Sequence, residues 1–341
     1  MNISLKPVLA RLGRGETLSA AEAEAAFGVI MDGLATPAQI GGLLMAMRAR
    51  GETVAELTGA VTAMRARMTR IAAPENAIDV CGTGGDGAAS LNISTAVAFV
   101  LAACGLPVAK HGNKALSSRA GGADVLAALG VNIEPPMARL SEILAETGCV
   151  FLFAPRHHTA LRHAGPVRAE LGTRTIFNLT GPMANPAGVK RQLVGVYDPA
   201  WARPMAETLA SLGTESAWIV HGGGLDELIL QGENQVVSLR HGEIKEFTVK
   251  AADAGLPAVP LTALQGGDAA ENAAALLAVL HGAKNGYRDT ILLNTAAALL
   301  VADKAENLPE GVARAAAALD SGAAFSVLEK LRAASQELSH K

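Results

Sequence analysis

The sequence predicts an α/β protein, with a small N-terminal helical domain and a larger domain that has a mostly parallel β-sheet flanked by helices. Three observations predict it. Residues 4 to 70 carry only helical periodicity, and from Pro74 onward short β-like runs alternate with helix-like ones. Half of the 341 residues are hydrophobic, enough to bury a large core. The division is expected between residues 72 and 73, giving a helical domain over 1–72 and an α/β domain over 73–341.

In the first part, Ser19, Thr36 and Thr53 stand as N-caps before "AAEAEAAFGVIMDGL", "PAQIGGLLMAMRAR" and "VAELTGAVTAMRARM". After the break, "AIDVC" reads as the first strand, followed by a helix over 92–104, the strand "LPVAKH" and a helix over 121–129. "CVFLF" is the next strand, before a helix opening at Pro155. "RQLVGVY", a helix over 201–212 and "SAWIVHG" continue the alternation. Residues 228–249 break it, reading as short antiparallel strands joined by "GEN" and "HGE" turns. Helices near 268–282, 286–303, 309–321 and 323–336 close the chain, and no fixed-period repeat stands out.

Composition excludes several classes of function. A formal charge of -3 and a pI near 6.3 argue against a general nucleic-acid binder or an electrostatically held membrane protein, since either carries a basic face or tail. Cys81, Cys104 and Cys149 lie in apolar segments without metal-ligand spacing and read as free thiols in a reducing compartment. The N-terminal stretch lacks the apolar core of a signal peptide, and no apolar run is membrane-spanning, so a cytoplasmic location is expected.

"GTGGDG", residues 82–87, satisfies G-x-G-x-x-G between a strand and a helix. A dinucleotide site also needs an acidic residue at the end of the second strand, where this chain has Lys110 and His111. The small residues instead allow close backbone approach, and "NIST" opens a helix whose N–H groups favour phosphate oxygens. Ser94 and Thr95 add hydroxyls, for ligand, for N-capping, or for both. The second loop, "KHGNKALSSRAGGADVL", follows the second strand and supplies Lys110, Lys114 and Arg119 with Asn113, Ser117 and Ser118. Two loops suited to a polyanion therefore sit at adjacent strand ends.

"GTGGD", "NIST", "KHGN", "SS" before "GGADVL", and "GPVRAELGTRTIFNLTGPMANP" together resemble the anthranilate phosphoribosyltransferases, in order and over nearly the whole chain. The resemblance implies a fold shared with the nucleoside phosphorylases, in which a segment near 165–180 returns to the helical domain. It implies attack of the anthranilate amino group on C1 of 5-phosphoribosyl diphosphate, with pyrophosphate leaving, in tryptophan biosynthesis. Substrate contacts are implied for Gly82, Gly85, Asp86, Ser90, Asn92, Ile93, Ser94, Thr95, Lys110, His111, Gly112, Asn113, Lys114, Ala115, Leu116, Ser117, Ser118, Gly122 and Arg168. Gly82, Asn113 and Arg168 would face anthranilate.

Magnesium is the implied cofactor, through Ser94, Asp226 and Glu227, and a homodimer is the implied assembly. Adjacent carboxylates suit an ion that binds through one or two of them plus phosphates and water, although an Asp-Glu pair alone is ordinary surface. Arg168 suits a carboxylate through its planar fork; a structural ion pair is its other reading, and Arg174 stands equally open to one. His111 is a possible proton acceptor or a structural loop residue, and His157 and His158 are weaker candidates for the wall of the acceptor pocket.

The chain departs from the family pattern at Lys114 (commonly arginine), Gly122 (commonly serine or alanine) and Thr180 (commonly leucine). None removes a proposed catalytic group. A pyrimidine nucleoside phosphorylase is the nearest competing reading, disfavoured by the intact acceptor-side segments. A non-catalytic nucleic-acid binder lacks its basic stripe.

Overall fold

The computed structural model describes residues 4–84, 87, 89–115 and 119–337. Its first part is helical, with Lys6–Leu12 followed by Ala20–Met31, Pro37–Arg50 and Val54–Arg67. The last three begin at the expected caps. Ser19, Thr36 and Thr53 each accept the N–H of the third helical residue, and Glu22, Gln39 and Glu56 return a bond to the cap's own N–H. Two otherwise orphaned donors are satisfied at each start. Glu56, although charged, is fully buried; it accepts the N–H groups of Leu18 and Thr53 and pairs with Arg50.

The second part is built on seven strands: β1 (Ile78–Gly82), β2 (Val108–Gly112), β3 (Cys149–Phe153), β4 (Arg191–Gly195), β5 (Ser216–Gly222), β6 (Asn234–Arg240) and β7 (Glu243–Val249). They lie in the order β3-β2-β1-β4-β5-β6-β7. Pairing is parallel from β3 to β5 and antiparallel for β5–β6 and β6–β7. Alternation along β1, β4, β5 and β6 divides two cores, while the apolar residues of β2 and β3 all belong to the first. Ile78, Val80, Leu193 and Val220 face the helices Ile93–Ala103 and Gly286–Val301. Cys81, Val194, Ile219 and Val237 face the opposite way, sharing one apolar cluster with Phe27, Leu44 and Met47 of the N-terminal helices.

Residues 165–180 contribute Val167, Ile176, Phe177 and Leu179 to that second cluster, and the Phe177 ring meets Phe27 edge-on at 5.5 Å. The three cysteines are free, with Cys81 and Cys149 buried, and burial pushes the Cys149 thiol up to about 12.

Two elements differ from expectation. The stretch before Asn234 forms no strand, because side-chain amides take its backbone groups: Asn294 binds the N–H and C=O of Leu228, and Asn234 those of Ile229. The helix expected at Pro155 is a single turn, Ala154–His157, followed by a 3-10 turn over Thr159–His163.

Gly59 lets the helices Ala20–Met31 and Val54–Arg67 approach closely, since a Cβ there would lie 2.3 Å from the Ala20 carbonyl oxygen. Gly59→Ala is therefore expected to destabilise the protein by about 1–3 kcal/mol through overpacking. The midpoint of thermal unfolding checks this; an unchanged midpoint would mean the two helices part at no cost.

Candidate active site

Parallel pairing brings the C-terminal ends of β1, β2, β4 and β5 to one edge of the sheet, and each ends in glycine: Gly82, Gly112, Gly195 and Gly222. This is the edge at which open α/β sheets bind ligands. A Cβ on Gly82 would lie 2.2 Å from Asp226 Oδ2, and one on Gly195 would lie 1.5 Å from the Asp226 carbonyl oxygen. The loop after β5 thus rests directly on the ends of β1 and β4. In that position Asp226 Oδ2 accepts the N–H of Gly84 at 2.7 Å, and Glu227 Oε1 accepts the N–H of Ser94 at 3.1 Å.

The helix Ile93–Ala103 starts at Asn92 without a side-chain cap, so Ser94 and Thr95 are not its N-caps. Ser94 Oγ instead accepts from Lys110 Nζ at 3.1 Å, and the same ammonium donates to the Val80 carbonyl at 2.6 Å. Thr95 is buried beneath Gly122, where an added Cβ would come within 3.1 Å of its hydroxyl oxygen. Ile93 points into the core, which leaves only its backbone to the site.

A buried carboxylate fixes the neighbouring strand end. Asp79 accepts the His111 N–H at 3.1 Å and Asn185 Nδ2 at 2.8 Å, while Asn185 also donates to the Ala109 carbonyl. Burial pushes the Asp79 carboxyl up from its usual range, opposed by the Lys110 charge. The next loop is shaped by Asp124, which accepts the N–H groups of Ala115 and Gly121. Gly85, Asp86, Leu116, Ser117 and Ser118 lie outside the described residues.

Residues from a late segment also hold the loop that leads into the helix Ile93–Ala103. Leu91 donates its N–H to Leu264, Gly266 donates to Ala89, and Ser90 pairs with Gln265. Asn92 is gripped three ways: its Oδ1 accepts from Asn272, its Nδ2 donates to the Ala120 carbonyl, and its own carbonyl accepts the Tyr287 hydroxyl. Asn272 and Tyr287 escape a sequence reading. Their one signal is polarity inside apolar helical segments.

Arg168 projects from the short helix Gly165–Leu171 and lies over the Phe177 ring, 5.3 Å from its centroid. Burial lowers its pKa. Arg174 stacks on Tyr197 at 3.8 Å, and Lys114 lies over Phe153 at 5.8 Å. Thr180 is fully buried and donates its hydroxyl to the Phe177 carbonyl, so it turns inward. His111 and His158 face each other, ring centres 5.1 Å apart, and each Nε2 is buried without a hydrogen-bond partner. Burial lowers the pKa of both rings, and nearby backbone at Gly181 and Ala184 respectively opposes this only in part. His157 Nδ1 meets the Thr69 carbonyl at 2.8 Å, a structural contact.

This chain matches two family descriptions: "Glycosyl transferase family, helical bundle domain" over residues 6–68, and "Glycosyl transferase family, a/b domain" over residues 74–325. It is 55% identical over 333 residues to the anthranilate phosphoribosyltransferases of Brucella canis and Brucella suis, covering 98% of each chain. The chain belongs to the anthranilate phosphoribosyltransferase family. Its fold is similar to that enzyme's crystal structure from Thermus thermophilus, with a TM-score of 0.92 and 43% identity over 96% of this chain and 99% of the other. A Saccharomyces cerevisiae anthranilate phosphoribosyltransferase in complex with PRPP and Mg aligns at a TM-score of 0.88 and 27% identity, covering 98% and 99%.

The facing histidines give this phosphoribosyltransferase a defined acid response. Burial lowers His158 from 6.5 to about 4 and holds His111 well below its ordinary value. Between pH 6.5 and about 4 the unfolded chain binds protons that the folded chain refuses, so stability falls as pH falls and is unaffected above 6.5. His158→Gln is expected to flatten this fall by up to about 1.4 kcal/mol per pH unit. Denaturant unfolding across that window checks it; equal slopes in both proteins would show that His158 titrates normally in the fold.

Proposed function

We infer that this chain transfers the 5-phosphoribosyl group of 5-phosphoribosyl diphosphate to the amino group of anthranilate, giving N-(5-phosphoribosyl)anthranilate and pyrophosphate. The observation that carries this reading is the meeting, at one sheet edge, of the Ile93–Ala103 N-terminus, Lys110 and the Asp226–Glu227 pair. Full-length similarity to anthranilate phosphoribosyltransferases supports it.

In this reading the phosphates lie along Ser90, Asn92, Ser94 and Thr95 and the loop from Lys110 to Ala115; Gly85, Asp86 and residues 116–118 are proposed substrate contacts outside the described residues. Magnesium fits the residues present. Among the described residues no three acidic, histidine or cysteine side chains converge on a metal position. Two adjacent carboxylates, with substrate oxygens and water, are nonetheless the donor set that magnesium ordinarily takes. Asp226 and Glu227 would hold it, with Ser94 nearby; bound there, the ion neutralises charge on the departing pyrophosphate.

The remaining work is positioning. An arylamine is neutral and already nucleophilic near pH 7, so Arg168 and Asn113 need only hold anthranilate with its nitrogen facing C1. The guanidinium lies half out of water over Phe177, which strengthens its pull on a carboxylate. His111, kept neutral by burial, is the proposed acceptor for the proton that the amine sheds as the C1–N bond forms. Three further proposals accompany this one. Residues 1–72 with 165–180 act as the helical unit. Two chains pair through it, supported by exposed Leu34 and Met45. The protein works in the cytoplasm, supported by its free thiols.

Loss of anthranilate fluorescence that requires protein, 5-phosphoribosyl diphosphate and magnesium together, with matching pyrophosphate release, is the expected result. No loss with folded protein would move the acceptor elsewhere. Arg168→Ala should raise the KM for anthranilate by about 10- to 100-fold and leave that for the diphosphate unchanged, as removal of a bidentate partner does. Wild-type kinetics in this variant would end the carboxylate assignment.

A further inference from the structure

We infer that Asn294 is a positioning residue for the Asp226–Glu227 pair, holding the loop that carries these carboxylates in register with the phosphate loop through the helix Gly286–Val301. The inference deepens the reading of those carboxylates as magnesium ligands and rests on it.

Asn294 lies fully buried within that helix, where an amide needs partners. Its Oδ1 accepts the Leu228 N–H at 3.0 Å, and its Nδ2 donates to the Leu228 carbonyl at 2.8 Å and to the Thr290 carbonyl at 2.9 Å. One side chain therefore clamps both backbone groups of the residue that follows Glu227. Seven residues earlier, two turns back along the same helix face, the Tyr287 hydroxyl donates to the Asn92 carbonyl at 3.1 Å. Burial, reinforced by the Glu227 charge, pushes this phenol's pKa up, so it remains a donor.

These contacts close a ring. Asn92 leads to Ser94, whose N–H bonds Glu227; Glu227 leads to Leu228, held by Asn294; and the helix returns from Asn294 to Tyr287 and Asn92. A rigid helical segment sets the spacing between the two loops. A phosphate oxygen and a carboxylate can share one cation only at a fixed separation, so the spacing bears on metal binding more than on acceptor binding.

The test is calorimetric binding of 5-phosphoribosyl diphosphate to the full chain at increasing magnesium, giving the concentration for half-maximal binding, with anthranilate affinity measured alongside. Asn294→Leu, similar in shape but unable to hold Leu228, should raise the magnesium half-point by about tenfold with anthranilate affinity unchanged, as loss of a partner behind a metal ligand does. Asn294→Asp keeps the acceptor for the Leu228 N–H and should give a smaller rise in the same direction; it stands in if the leucine variant does not fold. A wild-type half-point in a folded variant, or an equal loss of anthranilate affinity, overturns the inference. Asp226→Asn with Glu227→Gln separates the causes. A wild-type half-point there removes the metal reading and this inference with it, whereas a raised one beside a wild-type Asn294→Leu removes the positioning role alone.

Discussion

The loop that carries Asp226 lies so close to the ends of β1 and β4 that no side chain fits beneath it, and much of the site follows from that contact. Gly82 and Gly195 make it possible by lacking a Cβ. Once the loop is seated, Asp226 reaches the Gly84 N–H and Glu227 reaches the Ser94 N–H, so two carboxylates stand at the start of the helix Ile93–Ala103. A helix N-terminus favours negative charge, and here the protein's own carboxylate satisfies one of its donors. A cation added to this arrangement and a phosphate added to it support each other, because each offsets the charge the other brings. The site suits a metal-diphosphate better than either part alone.

Much of the fold could be read from the sequence because local chemistry decided it. Ser19, Thr36 and Thr53 cap their helices through bonds within four residues, and the parallel strands are near-continuous apolar runs. What could not be read was decided by contacts distant in sequence. Residues 228–230 have the apolar character of a strand, but Asn294, 66 residues away, takes the backbone bonds a ladder would need. The site divides in the same way. Lys110, Asp226 and Arg168 carry their chemistry in their side chains and stand out. Asp79, Asn185 and Tyr287 act through backbone groups of other residues and Asn272 through the Asn92 side chain, and only the fold brings them there.

Desolvation gives the two ends of the site different characters. At the proposed diphosphate end, Lys110 donates to Val80 and Ser94, a geometry that holds a cation at the helix start with the buried Asp79 carboxylate near enough to feel its charge. At the acceptor end, burial keeps His111 and His158 neutral while Arg168 keeps its charge, its pKa falling from a value far above neutrality. In the proposed reading the acceptor side therefore offers a guanidinium and uncharged imidazoles.

The two ends are also held with different firmness. Arg168 belongs to a segment whose Val167 and Phe177 lie in the apolar cluster that joins the N-terminal helices to β4, β5 and β6. Moving it means opening packed surface, which costs about 25 cal/mol for each Å² exposed. The phosphate loops are held instead by hydrogen bonds: Leu91 to Leu264, Asn92 to Asn272, Ala120 and Tyr287, and Tyr197 to the Thr83 hydroxyl. Each such bond contributes only about 1 kcal/mol net, but breaking one leaves a buried donor or acceptor unpaired, at a cost of about 1–3 kcal/mol. In the proposed reading, packing therefore anchors the acceptor side and paired polar groups anchor the diphosphate side. Tyr197 sits where the two meet, its N–H on the glycine loop and its ring beneath Arg174 of the returning segment.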